Sequence, residues 1–323
     1  MSAVDFQGHD FSMRGMTSLD AAMASGAGHL LSFTGTDTIP AILYLEKYYN
    51  ANIEQELVGS SIPASEHSVA CAYGTNELET YRHLINKVHP SGFVSIVSDT
   101  WDLWKILTDV IPALKEDILA RDGRVVIRPD SGDPVKIVCG DPESENPIAR
   151  KGIIEILWEI FGGTTTSKGY KQLDSHIGCI YGDAITLDRC RAICEQLTKK
   201  GFASTNMVFG IGSYTYQYQT RDTFGFALKS TYGVFGGEER FLFKDPVTDS
   251  GVKKSQTGRV CVFQDSGGIH YVDGLRNDKS VVVSSDVEGE EARRVENLLQ
   301  LIYENGVVLK DSTLSEVRKR LWE

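Results

Sequence analysis

Apolar and polar positions along this chain follow two alternating periods. Phe93–Val97 and Arg124–Ile127 are near-continuous apolar runs, short enough for buried strands, and each leads into a stretch with apolar residues at helical spacing. Ile153, Ile154, Leu157 and Ile160 set that spacing in a helix predicted over 148–161. His29–Phe33, Glu56–Ser60, His176–Tyr181 and Asn206–Phe209 read as further extended runs. Helices are predicted over 20–28 (rich in small residues), 39–49 (with Pro40 in its first turn), 101–107, 111–120 and 187–199. Strands alternating with helices of this length imply parallel βαβ units.

The pattern changes near residue 223. Segments 224–232, 240–243, 260–264 and 269–272 predict β-hairpins, with Gly-rich 233–237 as a hairpin loop. Residues 288–304 predict a helix with Val295, Leu298, Leu299 and Ile302 on one face. Thr313 and Glu316 form a capping-box pattern at the start of a closing helix near Leu314–Trp322. The expected fold class is α/β, with an incomplete (β/α) barrel-like domain over 1–222 and a β-rich segment with closing helices over 223–323.

Composition narrows the function classes. A hydrophobic fraction of 41% and a charged fraction of 24% over 323 residues are ordinary for a globular protein with a sizeable core. The net charge of −11 argues against nucleic-acid and anionic-membrane surfaces, so basic groups for an anionic substrate must be gathered in a pocket. No apolar run approaches the roughly 20 residues of a membrane span, and Met1–Phe6 lacks a signal-peptide pattern. Six cysteines at 71, 139, 179, 190, 194 and 261 follow no framework spacing; they read as reduced thiols of a cytoplasmic protein.

Polar clusters close the strand-like runs: Thr36-Asp37, Glu66-His67, Ser98-Asp99, Arg128 to Ser131, Gly182-Asp183 and Gly210 to Gly212. At the C-terminal ends of barrel strands they would converge on one pocket. A lone carboxylate in a loop is usually a turn former, but this phase is hard to attribute to turn chemistry alone. Asp99, Asp130 and Asp183 suit sugar hydroxyls and a Mg²⁺ ion, which takes a few carboxylates plus phosphate oxygens and waters. Arg128 and Arg221 suit bidentate phosphate binding, and Gly210 and Gly212 permit close backbone approach to a phosphate ahead of a helix at Ser213. His67 has a ring able to act as base or nucleophile near neutral pH. A sugar carrying phosphates is the ligand these residue types suggest.

The motifs His9-Asp-Phe-Ser-Met-Arg-Gly15, Gly35-Thr-Asp-Thr38, Pro63-Ala-Ser-Glu-His-Ser68, Val97-Ser-Asp99, Ile127-Arg-Pro-Asp-Ser-Gly132, Gly182-Asp183, Thr220-Arg-Asp222 and Phe243-Lys-Asp-Pro246 together resemble the nicotinamide phosphoribosyltransferases. That resemblance implies a barrel of the type II phosphoribosyltransferase kind, with nicotinamide, phosphoribosyl pyrophosphate and ATP as substrates, and Mg²⁺. It implies that Phe11 stacks on the pyridine ring, Arg14 contacts the ring end or phosphate, and Asp37 accepts the carboxamide N–H. It also implies that His67 is phosphorylated by ATP while Asp99 holds its other nitrogen. Arg128, Asp130, Gly182, Asp183, Gly212 and Ser213 would bind the ribose, phosphate and metal, with Asp99 and Asp130 as metal carboxylates. Arg221, Lys229 and Lys244 would hold pyrophosphate and the ATP phosphates. The family carries an N-terminal region ahead of the His9 motif, which implies a homodimer, or a C-terminal portion working with a separate N-terminal half. A nicotinate-using relative and a non-catalytic nucleotide-binding remnant are the competing readings.

Overall fold

The computed structural model describes residues 3–182, 185–218, 223, 228–243, 255–276, 280–283 and 293–322. It divides into two compact units, Met1–Gln219 with Ser312–Glu323, and Thr220–Asp311. The first is built on a curled, all-parallel sheet of six strands. These are β1 (Gly8–Asp10), β2 (Gly35–Thr36), β3 (Gly92–Val97), β4 (Gly123–Arg128), β7 (Ile177–Tyr181) and β8 (Met207–Ile211), in the order β2-β1-β8-β7-β4-β3. Two short outer strands, β5 (Gly163–Thr165) and β6 (Lys171–Leu173), pair as a separate hairpin.

An irregular segment spans the gap between the two sheet edges. Thr36 N–H donates to Ser60 O and Ser60 N–H to Thr34 O, which ties the segment to β2. Ser65 N–H donates to Ser95 O and Ser95 N–H to Pro63 O, which ties it to β3. Ser65 Oγ also accepts Val97 N–H at 2.9 Å. The chain then enters helix α3 (His67–Ala72), so the bridging segment delivers Glu66 and His67 at the strand ends.

The core explains why the alternating pattern was legible. Val125, Ile127, Ile153, Leu157, Ile193 and Leu197 have no exposed surface, and each such side chain contributes roughly 1.5–3 kcal/mol. Helix α1 (Leu19–Leu30) packs on α2 (Pro40–Tyr49), where Gly26 leaves only 2.8 Å between a would-be Cβ and Ala41 Cβ. Helix Leu314–Trp322 returns to the first unit: the Arg318 guanidinium donates to the carbonyls of Leu30, Leu57 and Val58. Its capping box forms as expected, with Glu316 N–H donating to Thr313 Oγ1 and Thr313 N–H to the Glu316 carboxylate.

Several expected elements differ. The helix expected over 148–161 begins only at Ile153, and of the loop expected over 233–237 only Gly236-Gly237 is turn, because Gly233 to Phe235 pair in a strand. His29–Phe33 is not a strand; α1 runs through Leu30, and the edge strand is Gly35–Thr36. The reason is His29 itself, whose buried ring bonds Gly35 O from within the helix. Nor do the described residues of 288–304 form a helix: Arg293–Glu296 pairs with Ser280–Val283, and Tyr303–Glu304 pairs with Val307–Val308. Asn305 (φ 51°) and Gly306 (φ 84°) supply the two left-handed positions of a tight hairpin turn. In the same unit Tyr232–Phe235 pairs with Glu238–Phe241 across Gly236-Gly237, and Arg259–Asp265 pairs with Gly268–Leu275. Among the described residues no helix is long and apolar enough to cross a membrane.

Candidate active site

The ends of β1, β2, β4 and β7, with the bridging segment, bring Phe11, Met13, Arg14, Asp37, Glu66, Arg128, Asp130 and Gly182 around one cavity of about 370 Å³. Phe11 packs against this end of the sheet, where two glycines leave room for its ring. A Cβ on Gly210 would sit 2.6 Å from the Phe11 ring and from Gly182 Cα, and one on Gly182 would sit 3.0 Å from Asp130 Oδ1. A second cavity of about 410 Å³ shares Phe11 and Asp37 and continues along the concave face of the sheet to Phe93 and Arg124.

Asp37 is held from one side. Its Oδ1 receives the His9 ring Nε2 at 2.8 Å and the Ser61 hydroxyl at 2.6 Å, leaving Oδ2 available to a ligand's N–H. Burial pushes this carboxyl up, but the bonds from His9 and Ser61 and the charges of His9 and Arg128 prevail and hold it below the usual carboxylate range. Asp37 is therefore an anion throughout the neutral range. Sequence reasoning gave no role to His9, although it stands in the quoted motif, and missed Ser61 altogether. The available signal was the polar run Ser60-Ser61 at the end of an extended segment.

His67 and Asp99 meet. The ring Nε2 lies 3.1 Å from Asp99 Oδ1. Asp99 Oδ2 accepts the Asp130 backbone N–H at 2.9 Å and the Ser131 hydroxyl at 2.6 Å. With Asp99 only 6% exposed, the ring's Nε2 faces a fixed carboxylate, which selects the Nε2–H tautomer and leaves the Nδ1 lone pair free. Ser98 Oγ sets the ends of β3 and β4 together, accepting Tyr81 O–H at 2.8 Å and Arg128 N–H at 3.2 Å. Burial pushes the Tyr81 hydroxyl far above its ordinary value, so it stays a donor. The Arg128 guanidinium is 8% exposed, lies 3.6 Å from Glu66, and its Nε has no hydrogen-bond partner. It is a fixed cation beside the cavity with donor capacity for an oxyanion.

Asp99 and Asp130 are the expected metal carboxylates. Both Asp99 oxygens are engaged by donors, so an ion there would displace one of them. Asp130 lines the cavity and suits a hard cation that also binds phosphate oxygens and water. Ser213 opens a five-residue helix and packs against Gly15, where a Cβ would lie 2.2 Å from its Oγ; neither Ser213 nor Gly212 lines the cavity. Lys229 belongs to the second unit, where it lines an open groove with Arg259 and Tyr271. Asp183, Arg221 and Lys244 lie outside the described residues.

Residues 6–306 match the model of the nicotinate phosphoribosyltransferase (NAPRTase) family. The chain is 53% identical over 98% of its length to a nicotinamide phosphoribosyltransferase of Acinetobacter baylyi, covering 61% of that protein. It is 36% identical over 97% of its length to one of Xanthomonas campestris, covering 62% of it. It thus spans less than two thirds of the length of these relatives. A nicotinate-nucleotide pyrophosphorylase structure from Pyrococcus furiosus shares the fold, with a TM-score of 0.55 over 99% of this chain and 65% of that one at 14% identity.

Proposed function

Because the chain belongs to the nicotinate phosphoribosyltransferase family, we propose that it carries the catalytic site of a nicotinamide phosphoribosyltransferase, joining nicotinamide to phosphoribosyl pyrophosphate. The observation that carries this reading is Asp37, anchored through Oδ1 and opposite Phe11 in one cavity with Arg128 and Asp130. A fixed anion there favours a carboxamide N–H₂ and repels the carboxylate of nicotinate. Phe11 holds the ring so that its nitrogen faces the anomeric carbon. The N–C bond forms as the bond from that carbon to the pyrophosphate oxygen breaks, through an oxocarbenium-like transition state. Arg14 and Arg128 receive the phosphate charge, and Asp130 would hold Mg²⁺. When bound, Mg²⁺ neutralises the charge that develops on the leaving pyrophosphate.

ATP is the second phosphate substrate in this proposal. The His67 Nδ1 lone pair attacks the γ-phosphorus, the bond to the bridging oxygen breaks, and ADP departs, while Asp99 stabilises the positive ring through Nε2. Arg221 and Lys244 are assigned to pyrophosphate and ATP phosphates on their motifs, and Lys229 on the family resemblance alone. A cytoplasmic setting suits six cysteines that form no disulfide. A homodimer, or an assembly with a chain supplying the portion of the relatives that this one does not match, is the proposed working form.

The test measures nicotinamide mononucleotide formation by the purified chain, alone and with that unmatched portion of the Acinetobacter baylyi relative. Nicotinamide and nicotinate are compared, with and without ATP. Preference for nicotinamide with ATP stimulation is expected. Preference for nicotinate, or nucleotide binding without turnover in both arms, would overturn the reading.

A further inference from the structure

We infer that Asp10 is the positioning residue that sets the spacing between the aromatic and the anionic walls of the pyridine pocket. The inference rests on the reading of that pocket given above and adds a residue that contacts no substrate. Asp10 is the last residue of β1 and has no exposed surface. Two loops diverge from it. Its backbone carbonyl accepts Asp37 N–H at 2.8 Å, which fixes the loop carrying the anionic wall. Its Oδ1 accepts Ser12 N–H at 2.8 Å, which folds the chain into an Asx turn immediately after Phe11. Ser12 O then accepts Gly15 N–H at 3.0 Å, completing the short turn that presents Arg14. Phe11 N–H is itself held by Ile211 O at 2.9 Å, so the turn has a fixed root on β8.

The other carboxylate oxygen is the unusual part. Oδ2 is buried without a hydrogen-bond partner, and so are Ser12 Oγ and Thr38 Oγ1. A Cβ on Gly26 of α1 would stand 3.1 Å from Oδ2 and 3.1 Å from the Thr38 methyl, so the carboxylate lies against the helix with no room for a larger neighbour. Burying an incompletely paired carboxylate is unfavourable, and an apolar residue would fill this space at lower cost. What an apolar residue cannot do is accept the Ser12 N–H. The acceptor geometry of Oδ1, rather than stability, is the reason for an aspartate here.

The consequence is quantitative, because a misplacement of about 1 Å at a reacting centre can reduce rates about a hundredfold. Asp10→Ala should raise KM for nicotinamide about tenfold, leave KM for phosphoribosyl pyrophosphate within about threefold, and speed amide hydrogen exchange in segment 11–16. Asp10→Asn keeps an acceptor for Ser12 N–H and removes only the charge, so it should restore both KM and exchange. If Asp10→Ala does not fold, Asp10→Ser carries the test with an intermediate rise, since a hydroxyl makes the same turn bond more weakly. A nicotinamide KM unchanged in the Ala or Ser variant, or an Asn variant as impaired as Ala, would overturn the assignment. If the parent protein neither binds nor turns over nicotinamide, the reading of the pocket fails instead. The exchange measurement still decides whether Asp10 fixes the turn.

Discussion

Replacing Asp99 with Asn separates the orientation of His67 from the integrity of the fold. Asp99 Oδ2 accepts two donors, Asp130 N–H and Ser131 O–H, and Oδ1 faces His67 Nε2 at 3.1 Å. An asparagine satisfies the pair of donors only with its oxygen at the Oδ2 position. Its amide nitrogen then points at His67, and the ring must present a lone pair at Nε2 and carry its hydrogen on Nδ1. The nitrogen that would attack ATP is thereby blocked. The Asp99 bond to a positive His67 is charge-assisted, worth about 1.5–3 kcal/mol. With the His67 side chain 41% exposed, water screens it, and the lower part of that range applies. A loss of about 1.5–2 kcal/mol corresponds to roughly 10- to 30-fold slower phosphorylation. The assay follows radiolabel transfer from γ-labelled ATP to protein, with nicotinamide mononucleotide formation measured with and without ATP. Nitrogen NMR of His67 reports the tautomer directly. Expected are a flipped tautomer, ATP stimulation reduced by that factor, and ATP-free transfer within about threefold of the parent. Unchanged label transfer, or an equal fall in both rates, would refute the reasoning.

Other sites give independent tests. Asp37→Asn removes the anion that repels nicotinate, and like-charge juxtaposition costs several kcal/mol, so the measured ratio of kcat/KM for nicotinamide over nicotinate should fall at least about tenfold. Gly210→Ala places a methyl 2.6 Å from the Phe11 ring, and overpacking of about 1–3 kcal/mol should weaken nicotinamide binding about tenfold by calorimetry, with little effect on phosphoribosyl pyrophosphate. Burial lowers the pKa of the His29 ring below its ordinary value and, together with His9, outweighs the raising influence of Asp10 and the Gly35 and Gly8 carbonyls. The fold therefore favours the neutral ring, which donates to Gly35 O and accepts from Tyr216 O–H. Its stabilisation is complete above the unfolded value and is lost as pH falls below it. Thermal unfolding between pH 7 and pH 5 should lose less stability in His29→Gln, which can keep both bonds, than in the parent; an identical slope would remove His29 as the source.

The residue pattern carried a large part of this architecture. The apolar runs at Phe93–Val97 and Arg124–Ile127 became adjacent parallel strands, and the helix at 187–199 formed with the expected limits. These elements are legible because periodicity directly encodes which face is buried. The convergence of Asp37, Glu66, Arg128, Asp130 and Gly182 was also readable, since successive strands of a parallel sheet end on the same side. Where short-range signals compete, the pattern failed. Residues 293–304 contain helix formers, yet Asn305-Gly306 and sheet pairing override them.

By itself, then, the sequence determined the parallel α/β class, the buried faces and the side of the sheet on which polar groups gather, because each follows from spacing within one element. Only the tertiary structure decided that 60–65 bonds both sheet edges, that His9 and Ser61 share one oxygen of Asp37, and that Asp10 ties two loops together. Apart from the turn bond between Asp10 and Ser12, those are bonds between groups tens of residues apart. Their directions depend on how the sheet curls, which no local period records.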